Sequence, residues 1–188
     1  MGISAQQWNR FRELFAAESH MSPSPWRGVP YCALATVNED GSPRVTPVGT
    51  LFLGEDMRGF YFELYSRHMS QNLDRDQRIC VLVVNRSMSL WGRAILRGRF
   101  QRLPAVRLTG TAGKKREATS KEMDALWKLT RRLRFFKGYP FMWGGMKYGR
   151  EIHFDAFEPV DCGPMTRGLL DSILGAGHLQ QDDESSTS

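Results

Sequence analysis

Residues 31–84 read YCALATVNEDGSPRVTPVGTLFLGEDMRGFYFELYSRHMSQNLDRDQRICVLVV, and this stretch decides the fold class. Together with Pro30 it holds four runs that are rich in β-branched and aromatic residues, at positions 30–37, 44–53, 58–65 and 79–84. Asp40-Gly41 separates the first two runs and Gly54-Glu55-Asp56 separates the next two, which is the turn chemistry of hairpins. The pattern predicts an antiparallel meander.

Two further runs extend this sheet. In 90–103, small or apolar residues such as Ala94 and Phe100 alternate with Arg93, Arg97 and Arg99, and a last alternating run covers 150–157. Six strands in hairpin order, with few helices between them, predict a mainly β fold with flanking helices that closes into a barrel or sandwich.

The second run contains Pro47 and Gly49, which a central strand tolerates badly. They predict a bulge, or a strand that leaves its neighbour and exposes backbone N–H and C=O groups to a ligand. A plain sheet edge explains the same residues equally well, so both interpretations stay open here.

The polar segment that follows the third strand has helical character. Ser66 is a good N-cap, and residues 67–74 show no strand alternation, so we predict one or two helical turns. A strand that ends in Ser66-Arg67 at the start of a helix is a place where an anion can bind.

The rest of the chain flanks this sheet. Trp8 and Phe11 recur at helical spacing near the N-terminus, residues 119–137 form a basic helical pattern, and 135–149 is an aromatic and glycine-rich loop. A short helix follows Pro164. We expect one domain over 1–179, with a helical and aromatic insertion at about 104–149, and a disordered tail over 180–188.

The amino-acid composition indicates which broad class of protein this is. The 188 residues carry a formal charge of +6, with 41% hydrophobic and 24% charged residues, as in an ordinary soluble domain. We find neither an apolar run long enough to span a membrane nor a signal peptide, so we expect a cytoplasmic protein without membrane contact. Three cysteines without CxxC spacing predict buried free thiols, and the positive charge suits anionic ligands.

Several kinds of chemistry lack their motifs. The four histidines show no metal-ligand spacing with each other or with the cysteines, so no metal site is expected. There is no GxSxG elbow, and no GxGxxG follows a strand. The segment 110–115, GTAGKK, lacks the spacing of a phosphate loop and is interpreted as a flexible loop.

Four segments together resemble a known family. They are the first hairpin LATVNEDGSPRVTPV, the strand end and turn FELYSRHMSQNL, the strand RICVLVVNRS and the closing strand REIHFDAFEPV. In this register the chain resembles the pyridoxamine 5′-phosphate oxidase-like, FMN-binding split-barrel superfamily. The resemblance implies an antiparallel split β-barrel and a homodimer with two FMN sites at the subunit interface. It also implies a small-molecule substrate.

The resemblance also implies site residues. Arg44, Val45, Thr46 and Pro47 would run along the isoalloxazine edge, and Ser66 and Arg67 would hold the phosphate, helped by the stretch His68, Met69 to Asn72. Arg93 would contact the flavin from the other side. Trp143 and Arg150 resemble a Trp and an Arg near the end of true oxidases, although their spacing differs. Catalytic residues stay unknown, because flavin chemistry belongs to the cofactor.

The sequence departs from the family in ways that leave alternatives open. The family's phosphate-binding Lys is replaced by His68 or Met69, and its substrate-binding pattern before the last strands is absent. We expect an FMN-dependent oxidoreductase of unknown substrate, with deazaflavin as another cofactor. A haem-handling protein that uses His178 as axial ligand is the second reading. A non-enzymatic flavin-binding module, or a nucleic-acid-binding module that uses the helix within 114–137, is the third and weakest.

Overall fold

Nine strands form one sheet in the described part of the chain. The structure, a computed structural model, describes residues 5, 8, 9, 11, 12, 27–29 and 31–174. The strands are β1 (Arg27–Val29), β2 (Cys32–Val37), β3 (Pro43–Val48), β4 (Leu51–Leu53), β5 (Arg58–Phe62), β6 (Arg78–Val84), β7 (Ala105–Ala112), β8 (Arg116–Glu117) and β9 (Tyr148–Pro159).

The sheet runs in the order β1-β4-β5-β9-β7-β6-β2-β3, and β8 pairs with β9. Antiparallel pairing joins β2 to both β3 and β6, β4 to both β1 and β5, and β9 to both β5 and β8. The predicted mainly β, antiparallel class with flanking helices is therefore confirmed.

Besides the described helical residues near the N-terminus, five helices in the described part of the chain flank the strands. They are α1 (Arg67–Arg75), α2 (Met88–Arg97), α3 (Ser120–Thr130), α4 (Tyr139–Met142) and α5 (Arg167–Leu174), with 3₁₀ turns at Arg131–Leu133 and Gly163–Met165. The predicted helix starts after Ser66 and after Pro164 are confirmed. The predicted helix over 119–137 ends at Thr130 and continues only as a 3₁₀ turn.

The chain forms two compact units. The first comprises residues 1–83 and 107–157, and the second comprises 84–106 and 158–188. The predicted single domain over 1–179 stays a prediction, and the tail 180–188 lies outside the described residues.

The core of the first unit lies under the sheet. Leu34, Val81 and Phe60 are fully buried, as strand residues that face a packed interior should be. The described helical residues near the N-terminus close this core, since the Trp8 and Phe154 rings lie 5.5 Å apart and Trp8 Nε1 donates to the Gly54 carbonyl at 3.1 Å. Trp8, in the part of this segment that the structure describes, therefore packs on the sheet.

The predicted strand over 90–103 is wrong. Residues 88–97 form α2, which begins at Ser87, whose hydroxyl accepts from the Leu90 N–H, and ends at Gly98 in the left-handed conformation. Burial of Leu90 and Ala94, four residues apart, outweighs the alternation of small and basic residues that suggested a strand.

The predicted insertion over 104–149 also needs correction. Residues 105–112 form β7, which lies between β9 and β6 in the sheet. The segment interpreted as a flexible loop from Gly110 therefore begins inside a strand. Gly110 is required there, because a Cβ at this position would collide with the His153 carbonyl oxygen of the neighbouring strand.

The run over 44–53 breaks as Pro47 and Gly49 predict. It divides into β3, which pairs with β2, and β4, which pairs with β1 and β5. The strand thus leaves its neighbour after Val48.

The cysteines are free, as predicted, but they are not all buried. Cys32 is buried, and burial raises the pKa of its thiol to about 12, whereas Cys162 is exposed.

Candidate functional site

The start of α1, where the phosphate contact was predicted, leaves several hydrogen-bond donors without a partner in the helix. Ser66 precedes the helix and makes no capping hydrogen bond with its side chain, and the first turn contains no acidic residue. The first intrahelical bond runs from the Ser70 N–H to the Ser66 carbonyl at 2.9 Å, so the N–H groups of residues 67–69 precede the helical ladder. Arg67 and His68 are exposed beside them.

A buried ionic network fixes this helix to the sheet. The Glu63 side chain, 2% exposed, accepts hydrogen bonds from Ser70 Oγ at 2.9 Å and from Arg150 Nε at 3.3 Å. Arg150 Nη2 reaches Asp74 Oδ1 at 2.7 Å, one turn further along α1. Lys115 Nζ lies 3.3 Å from Glu63 Oε2. Helix α1 is therefore held to β5 and β9 by charge as well as by packing.

Electrostatics of this network follow from burial. Desolvation and the neighbouring Glu63 carboxylate raise the pKa of Tyr61, whose hydroxyl donates to Glu63 Oε1 at 3.2 Å. Burial alone would lower the pKa of Arg150, but its bonds to Asp74 and the charge of Glu63 raise it. Tyr61 therefore stays neutral and Arg150 stays charged near neutral pH.

A second set of hydrogen bonds joins α1 to the first hairpin. Asn72 Nδ2 donates to Thr36 Oγ1 at 3.1 Å and to Asn38 Oδ1 at 2.9 Å. Arg44 Nε donates to the same Asn38 oxygen at 3.1 Å. Arg75 Nη2 donates to the Val37 carbonyl at 2.8 Å. These bonds bring the predicted residues Arg44 and Asn72 into one connected region.

Strand β3 is an edge strand with an open apolar face. It stands last in the strand order and pairs with β2 alone among the described strands. Ala35 lies opposite Val45, and Ala33 lies opposite both Pro47 and Leu82, so these five side chains share one face of the sheet. Val45 is 65% exposed and Leu82 is 37% exposed, whereas Leu34 on the other face is fully buried.

Comparison with known proteins identifies the family. A family model described as pyridoxamine 5′-phosphate oxidase matches residues 25–133, which is more than half of the chain. The chain belongs to the pyridoxamine 5′-phosphate oxidase family. None of the curated proteins matches this sequence.

Solved structures show the fold of the chain. An FMN-binding protein from Syntrophomonas wolfei subsp. wolfei is 12% identical with a TM-score of 0.53, and the match covers 83% of this chain and 87% of that chain. A variant of the HupZ protein of Group A Streptococcus is 16% identical with a TM-score of 0.50, covering 80% of this chain and 97% of that one. At these identities the likeness shows the fold alone, and the predicted split β-barrel is confirmed.

The predicted pyridoxamine 5′-phosphate oxidase site residues divide into two groups. The structure leaves Ser66 half-buried at the start of α1, with Arg67 and His68 exposed, and it places Arg44, Val45, Thr46 and Pro47 on β3. The other predicted residues lie in the core, in hydrogen-bond networks or on a helix of the second unit. They are Met69 in the core, Asn72 and Arg150 in the hydrogen-bond networks, Trp143 against the core, and Arg93 on α2 of the second unit.

Two of these positions correct the sequence interpretation. Arg93 lies on a helix and not on a long strand beside β6. Arg150 is 1% exposed, and its guanidinium nitrogens contact Glu63, Asp74, Ser70 and Gly113. Its structural role is to hold α1, a role that the alternation in 150–157 alone did not reveal.

The sequence analysis missed the acidic side of this network. Glu63 follows four buried strand residues, and a carboxylate at the end of such a run needs cationic partners. That signal was present in the sequence, but the identity of the partners, Lys115 and Arg150, depends on the pairing of β5 with β9.

The described histidines and acids form no metal centre. Within residues 31–174 and the described positions before them, no group of three His, Cys, Asp or Glu side chains could hold a metal ion. His178, the predicted haem ligand, lies outside the described residues. No helix of the described chain is long and apolar enough to cross a membrane.

Proposed function

We propose that this protein is an FMN-dependent oxidoreductase that acts on a small molecule. The observation that carries the proposal is the start of α1, where the Ser66 side chain makes no capping hydrogen bond, N–H groups lie outside the helical ladder and Arg67 is exposed. Hydrogen bonds from Asn72 join the same helix to the hairpin that contains the edge strand β3. Membership of the pyridoxamine 5′-phosphate oxidase family supports it.

The donor set at α1 fits a phosphate monoester. A phosphate needs hydroxyl and N–H donors with a guanidinium nearby, and the helix dipole favours negative charge at this end. Arg67 forms no ion pair among the described residues, so its guanidinium is available. Helix α1 is held in place by Glu63 and Arg150, so these donors are fixed before a ligand arrives.

Strand β3 offers a backbone edge that could bind the edge of a planar ring and an apolar face that could pack against its plane. Its outer edge has backbone donors and acceptors without a strand partner among the described residues, apart from the proline positions. The apolar face formed with Ala33 and Ala35 supplies a flat wall beside this edge. In this proposal Val45 and Pro47 would contact the isoalloxazine ring.

FMN, when bound, would supply hydride and electron transfer. The chain's residues would bind the phosphate, orient the ring and exclude water from one of its faces. No described side chain is required as a general acid or base. The substrate's chemistry therefore depends on groups that approach the open side of the flavin.

The open apolar face also supports a homodimer. A monomer would leave Val45, Pro47 and Leu82 in water on one face of the sheet. A second copy that packs on this face would cover them and complete the ring-binding wall. We include this homodimer in the proposal, with the cofactor at its interface.

The test is a fluorescence titration of FMN into wild type and an Arg67→Ala variant. Losing one charge-assisted phosphate contact should weaken binding by about 1.5–3 kcal/mol, or roughly ten- to a hundred-fold. Arg99→Ala is the matched control, because Arg99 is equally exposed but lies in the second unit. Equal FMN affinity in all three proteins would mean that α1 does not hold the phosphate.

A further inference from the structure

Residues 127–147 form a surface segment that combines positive charge with exposed apolar side chains, and we name it the basic–aromatic segment. It contains six basic residues and no Asp or Glu. The six are Lys128, Arg131, Arg132, Arg134, Lys137 and Lys147, and all are exposed. None of them forms an ion pair within the described chain, in contrast to Arg116, which pairs with Glu122 at 2.8 Å.

The same segment exposes large apolar side chains. Phe135 is 80% exposed and Phe141 is 74% exposed. Phe136, Met142, Leu133 and Trp127 are also exposed. A cluster of this kind, interleaved with cations, is uncommon on a surface that contacts only water.

The exposed residues are held outward by others that anchor the segment. Trp143 and Met146 pack against the core cluster of Phe52, Phe60 and Phe62. The Tyr139 and Trp143 rings lie 5.5 Å apart, and the Phe136 N–H donates to the Leu133 carbonyl at 3.0 Å. The segment therefore has an inner side that belongs to the core and an outer side built from phenylalanines and cations.

We propose that the basic–aromatic segment docks this protein onto an anionic membrane surface. Phe, Leu and Met side chains partition into the boundary between headgroups and acyl chains, while Lys and Arg attract acidic lipids. The expectation of no membrane contact came from the lack of a spanning run, which does not bear on peripheral binding.

Two other occupants fit the segment less well. An isologous contact with a second copy would bring two sets of unpaired cations together, which is unfavourable. Single-stranded nucleic acid needs open ring faces for stacking, but the Arg134 guanidinium lies 4.8 Å from the centroid of the Phe135 ring. The exposed Leu133 and Met142 side chains also have no stacking role, whereas both suit a lipid boundary.

The experiment is flotation of the purified full-length protein with vesicles of phosphatidylcholine alone or mixed with phosphatidylserine. We expect binding only to the vesicles with phosphatidylserine, and less of it at high salt. The variant Arg131→Gln/Arg132→Gln/Arg134→Gln should bind about five-fold more weakly for each charge lost, or roughly a hundred-fold overall. The variant Phe135→Ser/Phe136→Ser/Phe141→Ser should lose roughly ten-fold or more.

A control variant tests whether vesicle binding depends on this segment or on exposed apolar and basic residues anywhere on the surface. Leu96→Ser/Arg97→Gln removes an exposed apolar residue and an exposed cation from α2, and it should float like wild type. Circular dichroism checks that every variant is folded, which the exposure of the substituted residues favours.

Three results would overturn the proposal. The first is no flotation with phosphatidylserine, and the second is equal loss of binding in the α2 control. The third is that a labelled single-stranded oligonucleotide binds the wild type, competes with the vesicles and is lost in the Phe variant, which would assign the segment to nucleic acid. A change of oligomeric state in the Phe variant, without vesicle binding by wild type, would assign it to a second copy.

Discussion

Arg150 and Glu63 form a buried ion pair, and removing either charge should lower the free energy of unfolding strongly. Both side chains are almost fully buried, at 1% and 2% exposure, and their partners join three elements. Removing one partner of a buried ion pair leaves the other charge poorly compensated. Without Arg150, the buried Glu63 carboxylate would keep Lys115 as its one cationic partner among the described residues. The surface pair between Arg58 and Glu151, with side chains 59% and 39% exposed, has no such penalty.

We predict that Arg150→Met lowers the free energy of unfolding by about 3–5 kcal/mol, as measured by urea denaturation. The double variant Glu63→Gln/Arg150→Met should be more stable than the sum of the two single changes implies, because no carboxylate is then left without its partner. Arg58→Met is the control and should cost less than about 1 kcal/mol. Similar losses for Arg58→Met and Arg150→Met would contradict this account of the network.

At the scale of the elements, the predicted strands and helices agree with the structure where the local sequence pattern is strong. The Asp40-Gly41 turn, alternation and an apolar run placed β2, β3, β5, β6 and β9. The break before β4 is one of the two interpretations that Pro47 and Gly49 left open. Helix α2 was missed although Ser87 and Gly98 carry helix-boundary signals, because alternating arginines outweighed them in the interpretation.

Strand β7 was missed for a different reason. Its buried Val106, Leu108 and Ala112 alternate with less buried residues, which is a strand pattern, but the glycines at 110 and 113 suggested a loop. That Gly110 is needed for close contact with β9 depends on which strands become neighbours. Local sequence does not specify that neighbour, so the buried network and the position of Arg150 could not be predicted from it.

Two glycines in these missed elements should respond to alanine with opposite signs. Gly110→Ala places a Cβ against the backbone of His153 and Phe154 and should destabilise the fold by more than about 2 kcal/mol. Gly92→Ala, in the interior of α2 with open space around it, should stabilise by about 0.5–1 kcal/mol. Thermal unfolding of both variants checks the pair. A stabilising Gly110→Ala would contradict the close approach of β7 to β9.

At the scale of the whole molecule, the open face of the sheet sets the expected assembly. We predict that the protein is a homodimer in light scattering, and that Leu82→Arg shifts it toward monomer and weakens FMN binding by roughly ten-fold or more. A buried charge on an apolar interface has no partner, whereas the same charge in water is tolerated.

Ile95→Arg, at an exposed apolar position on α2 of the second unit, is the control for that experiment and should leave the dimer intact. A wild-type monomer at micromolar concentration that still carries flavin would refute both the dimer and its part in the cofactor site.

The identity of the cofactor is the central claim, and the visible spectrum of the purified protein tests it most directly. We predict a flavin spectrum, either as purified or after adding FMN and removing the excess, with stoichiometric FMN released on denaturation. Added haemin should give no stoichiometric Soret band, and His178→Ala should leave the flavin spectrum unchanged. A stoichiometric Soret band that disappears in His178→Ala, with no flavin bound under any condition, would contradict the account and assign the protein to haem.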